Sequence, residues 1–343
     1  MLRATFEEVA MLRISLPEPR NLRARIALLA LTFAATARAQ NALPLVAAAL
    51  EPAVGAAADA GLSATEVAAP EEKDHAQPAL SDLGLGNFFT EGWNQEWHKW
   101  RHDTPDMALL RVTTNFLERE LRGDYAQTSI AHSATQDSTD LANVLIAYAL
   151  NRRLMLEVIG NYQWNDPVSG PPVSGSGTGF LTRFQLVENA TQSYSFQARV
   201  SAPNKGIGQT QTSLTFGLAG WQDVHAWVPA LGRFGLYYSF QYEDLLGPHK
   251  VGQMQNDISY DVSVAQTWTS PTTPVFGNLT TFLEAFGQTA LDGASSGKTN
   301  VTLTPGVRFW FIPENSISLG VDFPVSHAPA IHNVYRATYI LNF

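Results

Sequence analysis

The chain has 343 residues, of which 45% are hydrophobic and only 15% charged, with 18 Phe, 10 Tyr, 8 Trp, 25 Gly and no Cys. Charge is well below the quarter or so usual in soluble domains, yet the mean hydropathy is close to neutral, and no mature stretch approaches the 18 or so apolar residues of a membrane-spanning helix. That excludes a helical membrane protein and disfavours an ordinary soluble enzyme, while a formal net charge of -9 argues against a nucleic-acid partner.

In chain order, Arg20, Arg23 and Arg25 precede an apolar run from Ile26 to Ala35, and Ala37-Arg38-Ala39 supplies small residues before a cut. This is the layout of a secretory signal, expected over residues 1–39, with the start at Met1 or Met11 left open. Residues 40–79, rich in Ala, Pro and Val, bury no face at any period and read as a disordered periplasmic linker. Residues 80–106 are Trp-rich. Trp93, Trp97 and Trp100 fall at i, i+4 and i+7, which on a helix would align three indoles. Two readings stand for this segment: an interfacial belt or plug at a barrel mouth, or packing against the periplasmic rim.

From Met107 the period changes to two. Met107 to Ser129 begins the series with Leu110, Val112, Thr114 and Phe116, but the pattern breaks at Glu118-Arg119-Glu120, so one bent strand or two short ones are open. Strands follow at Asp140–Leu150, Arg153–Trp164, Gly179–Val187, Ser193–Ser201, Thr210–Trp221, Arg233–Glu243, Asp257–Trp268, Asn278–Gln288, Thr299–Trp310, Ser316–Phe323 and Tyr335–Phe343. Arg233–Glu243 is the cleanest, opposing Phe234, Leu236, Tyr238, Phe240 and Tyr242 to Gly235, Tyr237, Ser239, Gln241 and Glu243. Asn278–Gln288 is ambiguous, because Phe282 and Phe286 share a side with Glu284. Asn165–Thr178, with its Gly, Pro and Ser, reads as a long outer loop. Single-chain bacterial barrels are even-stranded, which selects twelve over thirteen. The fold class expected is all-β: a transmembrane antiparallel barrel over residues 107–343, placed in the cell outer membrane and in contact with its lipid. A soluble sandwich shares the alternation but has less use for Tyr and Trp at strand ends.

The last strand sets Tyr335, Ala337, Tyr339, Leu341 and Phe343 on one face, with Ile340 as the exception on the polar face. Tyr335, Tyr339, Leu341 and Phe343 form the expected assembly signal read by the barrel-assembly machinery. The inward face carries the candidate lumen lining: Arg111, Arg153, Glu157, Arg183, Arg199, Glu243, Asp261, Glu284, Arg308, Asp322 and Arg336. Both signs occur in similar number. Either arginines and acids occupy opposite walls and set a transverse field, or the charges pair and stiffen a narrow barrel.

Enzyme chemistry is not expected. A barrel phospholipase needs a Ser beside a His base on the lipid-facing surface, and the eight His residues lie in linkers, loops, turns or strand borders. His98 and His102 have ligand spacing if the segment is helical, with Asp103 and Asp106 nearby, but surface histidines without a further ligand are the commoner outcome, so neither metal nor cofactor is expected. Gly206-x-Gly208 is turn material without the strand-to-helix context of a phosphate loop.

Phe282-Leu283-Glu284-Ala285-Phe286-Gly287, the Ser195–Pro203 strand ending at a Pro-containing loop, and Thr304-Pro305-Gly306-Val307-Arg308-Phe309 followed by Ser316–Pro324 resemble the MetA-pathway of phenol degradation, transporter-like family of outer-membrane proteins. The resemblance covers Leu141 to Phe343 and does not reach the Trp-rich segment. It implies a twelve-stranded type of barrel linked to uptake of small, often aromatic or hydrophobic compounds. The expectation is therefore a channel or transporter-like barrel for a small-molecule solute. The alternative is a structural or surface-interaction barrel acting through its outer loops.

Overall fold

The computed structural model describes residues 81–97, 110–130, 138–166, 173–203, 211–229, 233–247, 254–312, 315–326 and 331–343. The expected signal, the linker, Trp100, His98 and His102 lie outside these residues. Twelve strands run in order: β1 Arg119–Ile130, β2 Ser138–Ala149, β3 Leu154–Asp166, β4 Val173–Asn189, β5 Gln192–Ser201, β6 Thr212–Asp223, β7 Phe234–Leu246, β8 Asn256–Thr267, β9 Gly277–Ala290, β10 Thr299–Ile312, β11 Asn315–Pro324 and β12 Ile331–Asn342. Each pairs antiparallel with its neighbours in sequence, and β1 closes on β12, so the sheet has no edge.

Alternation produces the two surfaces. In β6, Phe216 and Leu218 are 44% and 53% exposed, while Thr215 and Ala219 beside them are buried. The same change of side runs through Phe240, Val262, Leu283 and Leu319, all exposed on the outside. A continuous apolar outer band of this kind is what a bilayer covers; on a water-soluble protein it would be an aggregation surface. Both ends of the barrel, Arg119 and Asn342, meet at one rim, and an even strand number makes it the periplasmic rim.

The seam is regular. Leu121 faces Leu341, Gly123 faces Tyr339 and Tyr125 faces Ala337, and the Phe343 N–H reaches the Arg119 carbonyl at 3.0 Å. On its inner side Thr338 Oγ1 donates to Asp124 at 2.7 Å. Tyr335 and Phe343 point outward and are exposed, while Ile340, the exception in the polar register, is buried inside.

Three features differ from the sequence expectations. The first strand starts at Arg119; residues 110–118 are not in the wall but lie within the barrel, bonded to β5, β7, β9 and β11. Second, residues 173–178, expected as loop, are strand: Ser174, Gly175, Ser176 and Gly177 pair with Trp164, Gln163, Tyr162 and Asn161. Their partner on the other side starts only at Gly179–Ser201, so this Gly- and Ser-rich hairpin extends past the wall, held by ladder bonds despite weak strand propensity. Third, residues 81–97 form turns rather than a helix, so Trp93 and Trp97 are not aligned as successive turns of one, and Trp100 lies outside the described residues.

Those turns make a collar at the periplasmic rim. Leu83 exchanges both backbone hydrogen bonds with Glu188, extending the sheet beside β4 where β3 has ended. Trp97 Nε1 donates to the Leu117 carbonyl at 2.6 Å, and the Arg119 guanidinium lies 4.9 Å from the Trp97 ring.

Candidate functional site

The lumen is the surface with chemistry, and residues 110–118 divide it. Trp97 and Leu117 are bonded at the rim, whereas Leu110 is packed on Gly320 inside the barrel. Residues 110–118 therefore run from inside the barrel to the rim, where Leu117 meets Trp97. They bend at 110–112 and at 116 and form no ladder with a neighbour.

The apolar side of this segment meets an unexpectedly apolar stretch of inner wall. Leu110, Val112 and Phe116 pack with Trp221, Tyr237, Ala265 and Phe282, all buried. The Phe116 and Trp221 ring centroids are 5.7 Å apart. Phe282 needs Gly306: a Cβ there would lie 2.2 Å from the Phe282 ring. Phe282, Glu284 and Phe286 all face inward, which resolves the ambiguity of β9, since Leu283 between them is exposed outside. Nearer the rim, Leu117 packs with Ala147, Ala149, Met155 and Leu181.

Polar groups fix the segment's height. Arg111 Nη1 reaches Asp322 at 2.8 Å, its backbone N–H donates to Glu284 at 2.9 Å, and its guanidinium sits 3.9 Å from the Phe286 ring centroid. Asp322 is shared: Arg336 Nε also lies at 2.8 Å and Thr304 Oγ1 donates at 2.7 Å. Gln241 donates to Thr113, Asn115 to the Ser193 carbonyl, and Arg183 Nη1 to the Phe116 carbonyl at 2.9 Å. Asp322 is thus a counter-charge bonded to two guanidiniums. Asp322→Ala is expected to lower stability by about 3–5 kcal/mol, as for a buried ion pair losing one partner; urea unfolding in detergent, against Asp322→Asn, measures it.

The remaining charges fall into two sets. Glu157, Arg183 and Arg199 occupy β3, β4 and β5, joined by Glu120, Arg122 and Asp124 of β1, which the irregular first strand concealed from sequence reading. With Arg111–Thr114 they line a cavity of about 220 Å³ beside the inserted segment. Arg122 Nε pairs with Asp124 at 2.7 Å. On the opposite wall, Asp261 and Glu284 are buried with Asp322, and Asp261 accepts from Ser239. Arg308 is buried and contacts Thr280, and Glu243 stands opposite Asp257 in the β7–β8 ladder. The pairing seen is local, between neighbours or through the inserted segment, rather than across an empty lumen.

Arg153 stands apart from the other residues expected in the lumen. It ends the β2–β3 turn, and the five N–H groups of its side chain reach six acceptors: the carbonyls of Glu91, Gln185, Leu186, Gly84 and Asn87, and Asn87 Oδ1, with Nη2 shared among three. Burial, then the Arg152 guanidinium, pull its pKa below the ordinary arginine value, with Glu188 and Glu91 opposing; a guanidinium stays charged regardless. Arg152 bonds Gln95 and the Ser81 carbonyl and lies 3.7 Å from Glu188. The two arginines seat the collar.

No family model matches the chain and no curated protein matches its sequence, so the family resemblance gains no support there. Solved structures do match in shape. An outer membrane channel from Pseudomonas putida F1 superposes with a TM-score of 0.51 at 9% identity, covering 69% of this chain and 100% of that one. The NanC porin gives 0.46 at 10% identity, covering 66% and 100%, a likeness too slight to argue from. At such identity the likeness concerns the fold. Closure into twelve strands, the apolar outer band and the charged interior agree with it: the chain is an outer-membrane β-barrel.

Proposed function

We propose that this barrel is a channel for small solutes, closed at rest by residues 110–118. The observation carrying the reading is the inserted segment itself. A lumen that served only as a structural core would be filled by wall side chains, as in eight-stranded barrels. Here the filling is a separate piece of chain that belongs to no ladder, so it can withdraw without unfolding a strand.

The solutes we assign are small and hydrophobic or aromatic, as the family resemblance implies. Supporting this, the wall behind the segment presents Trp221, Tyr237 and Phe282, an apolar surface where a general porin has polar groups. Arg199, Arg183 and Glu157 above it line the mixed-charge cavity that such a solute meets first. Liposome swelling tests the assignment: with the segment removed, a small aromatic solute is expected to enter faster than a sugar of equal mass. Equal rates would refute the solute class, and no flux of either from a correctly folded barrel would refute the channel.

A further inference from the structure

The collar has two faces of different chemistry. Toward the barrel it is polar: Asn87, Glu91 and Gln95, with the carbonyls of Ser81 and Gly84, are taken up by Arg152, Arg153 or one another. Away from it the collar is apolar. Phe89 is 88% exposed and Leu85 68%, the former more than any large hydrophobic residue of the strands. Phe88 stands edge-on to both Phe89 and Trp93, at 5.1 and 5.6 Å between centroids. Trp93 leans on Phe184 at 6.4 Å, and Phe184 stacks on Phe196 at 6.4 Å.

Those last contacts fix which side of the barrel this is. Phe184 and Phe196 face each other across β4 and β5 in the outward register, since Arg183 and Gln197 beside them are buried inside. The collar's apolar face is therefore continuous with the lipid-facing band and prolongs it past the periplasmic end of β3 and β4. In water two bare large side chains on a turn gain nothing from exposure. At the headgroup level their apolar bodies are buried while the Trp93 N–H, which donates to the Phe88 carbonyl at 2.6 Å, needs no outside partner.

We propose that residues 84–93 are an interfacial membrane anchor, seating Leu85, Phe89 and Trp93 at the headgroup–acyl boundary of the periplasmic leaflet. The anchor lies outside the wall strands and adds a membrane contact to the bonds that Arg152, Arg153 and Leu83 make between collar and barrel. Because Trp97, a few residues on, clamps the base of the inserted segment, the anchor also limits how far that base moves.

The absence of cysteine lets a single one report. Phe89→Cys carrying a nitroxide, in the full chain in phospholipid vesicles, is expected to be open to oxygen and shielded from a water-soluble nickel chelate. It should match a label at Phe216→Cys on the lipid-facing wall and differ from one at Glu96→Cys on the exposed collar. Nickel access equal to that at Glu96→Cys would overturn the proposal. Since the label replaces one anchoring ring, native Trp93 provides a second reading. Lipids brominated on their acyl chains should quench a component of the emission that Trp93→Phe removes, and Leu85→Asp with Phe89→Asp should abolish that component while the heat-modifiable gel shift persists. Shielding that appears only when a periplasmic protein is added would assign the face to that protein and overturn the lipid anchor.

Discussion

Removing residues 110–117 is expected to raise single-channel conductance in planar bilayers several-fold while leaving all twelve strands paired. The segment belongs to no ladder, and the wall closes through β1 and β12 without it, so the loss does not open the sheet. What it vacates is the space between the apolar wall at Trp221, Tyr237 and Phe282 and the charged wall at Glu157, Arg183 and Arg199. A twelve-stranded lumen lies between the filled eight-stranded and the open sixteen-stranded cases, so whether it conducts depends on what fills it. Unseating without deletion gives the same answer by another route. Phe116→Asp buries a charge against Trp221 and should raise the open probability, at unchanged heat-modifiable mobility. Conductance indistinguishable from the parent in both variants would mean that the segment does not close the lumen.

Arg153→Ala is expected to free the collar while sparing the barrel. Five N–H groups lose their six acceptors, each full bond having a charged donor and so being worth about 1.5–3 kcal/mol where water is excluded. At a rim, water re-solvates most of the freed carbonyls, which leaves a net loss of about 3 kcal/mol. That corresponds to about a hundredfold shift toward the undocked collar. Limited proteolysis should then cut within residues 81–97 at correspondingly higher rate, with the barrel fragment still showing its heat-modifiable shift. Arg153→Lys should fall only partly short of Ala, because one ammonium cannot span carbonyls from Gly84 to Leu186 as a guanidinium does. Unchanged cleavage would show that Leu83 and the Trp97 clamp suffice to hold the collar.

The wall was legible in the amino-acid order and the filling was not. β7 shows why: apart from the inward Tyr237, Phe234 to Glu243 alternates because lipid on one side and lumen on the other favour opposite residue types. Leu110 to Phe116 alternates equally well and is no strand of the wall. Alternation reports that an extended chain has two different surroundings; it does not say whether those are bilayer and lumen or two parts of one interior. The break at Glu118-Arg119-Glu120 marked the place where one situation becomes the other, but nothing in it told a bend from a change of partner. The inward Trp221 was hidden, and Phe282 showed only as an ambiguity beside Glu284, for the same reason, since a lumen packed with polypeptide accepts apolar residues that an open one would not.

By itself, the sequence determined the strand number, the strand limits to within a few residues apart from the first and fourth, the outward apolar face and the membrane destination. Each follows from a local rule of period two, repeated along the chain and checked by parity. Tertiary structure alone decided that Asp322 would hold both Arg111 and Arg336, that Arg153 would leave the lumen set and anchor a collar, and that residues 110–118 would occupy the interior. These depend on contacts between residues up to 211 positions apart in the chain. Such contacts form only once the barrel has closed and given the inserted segment walls to pack against.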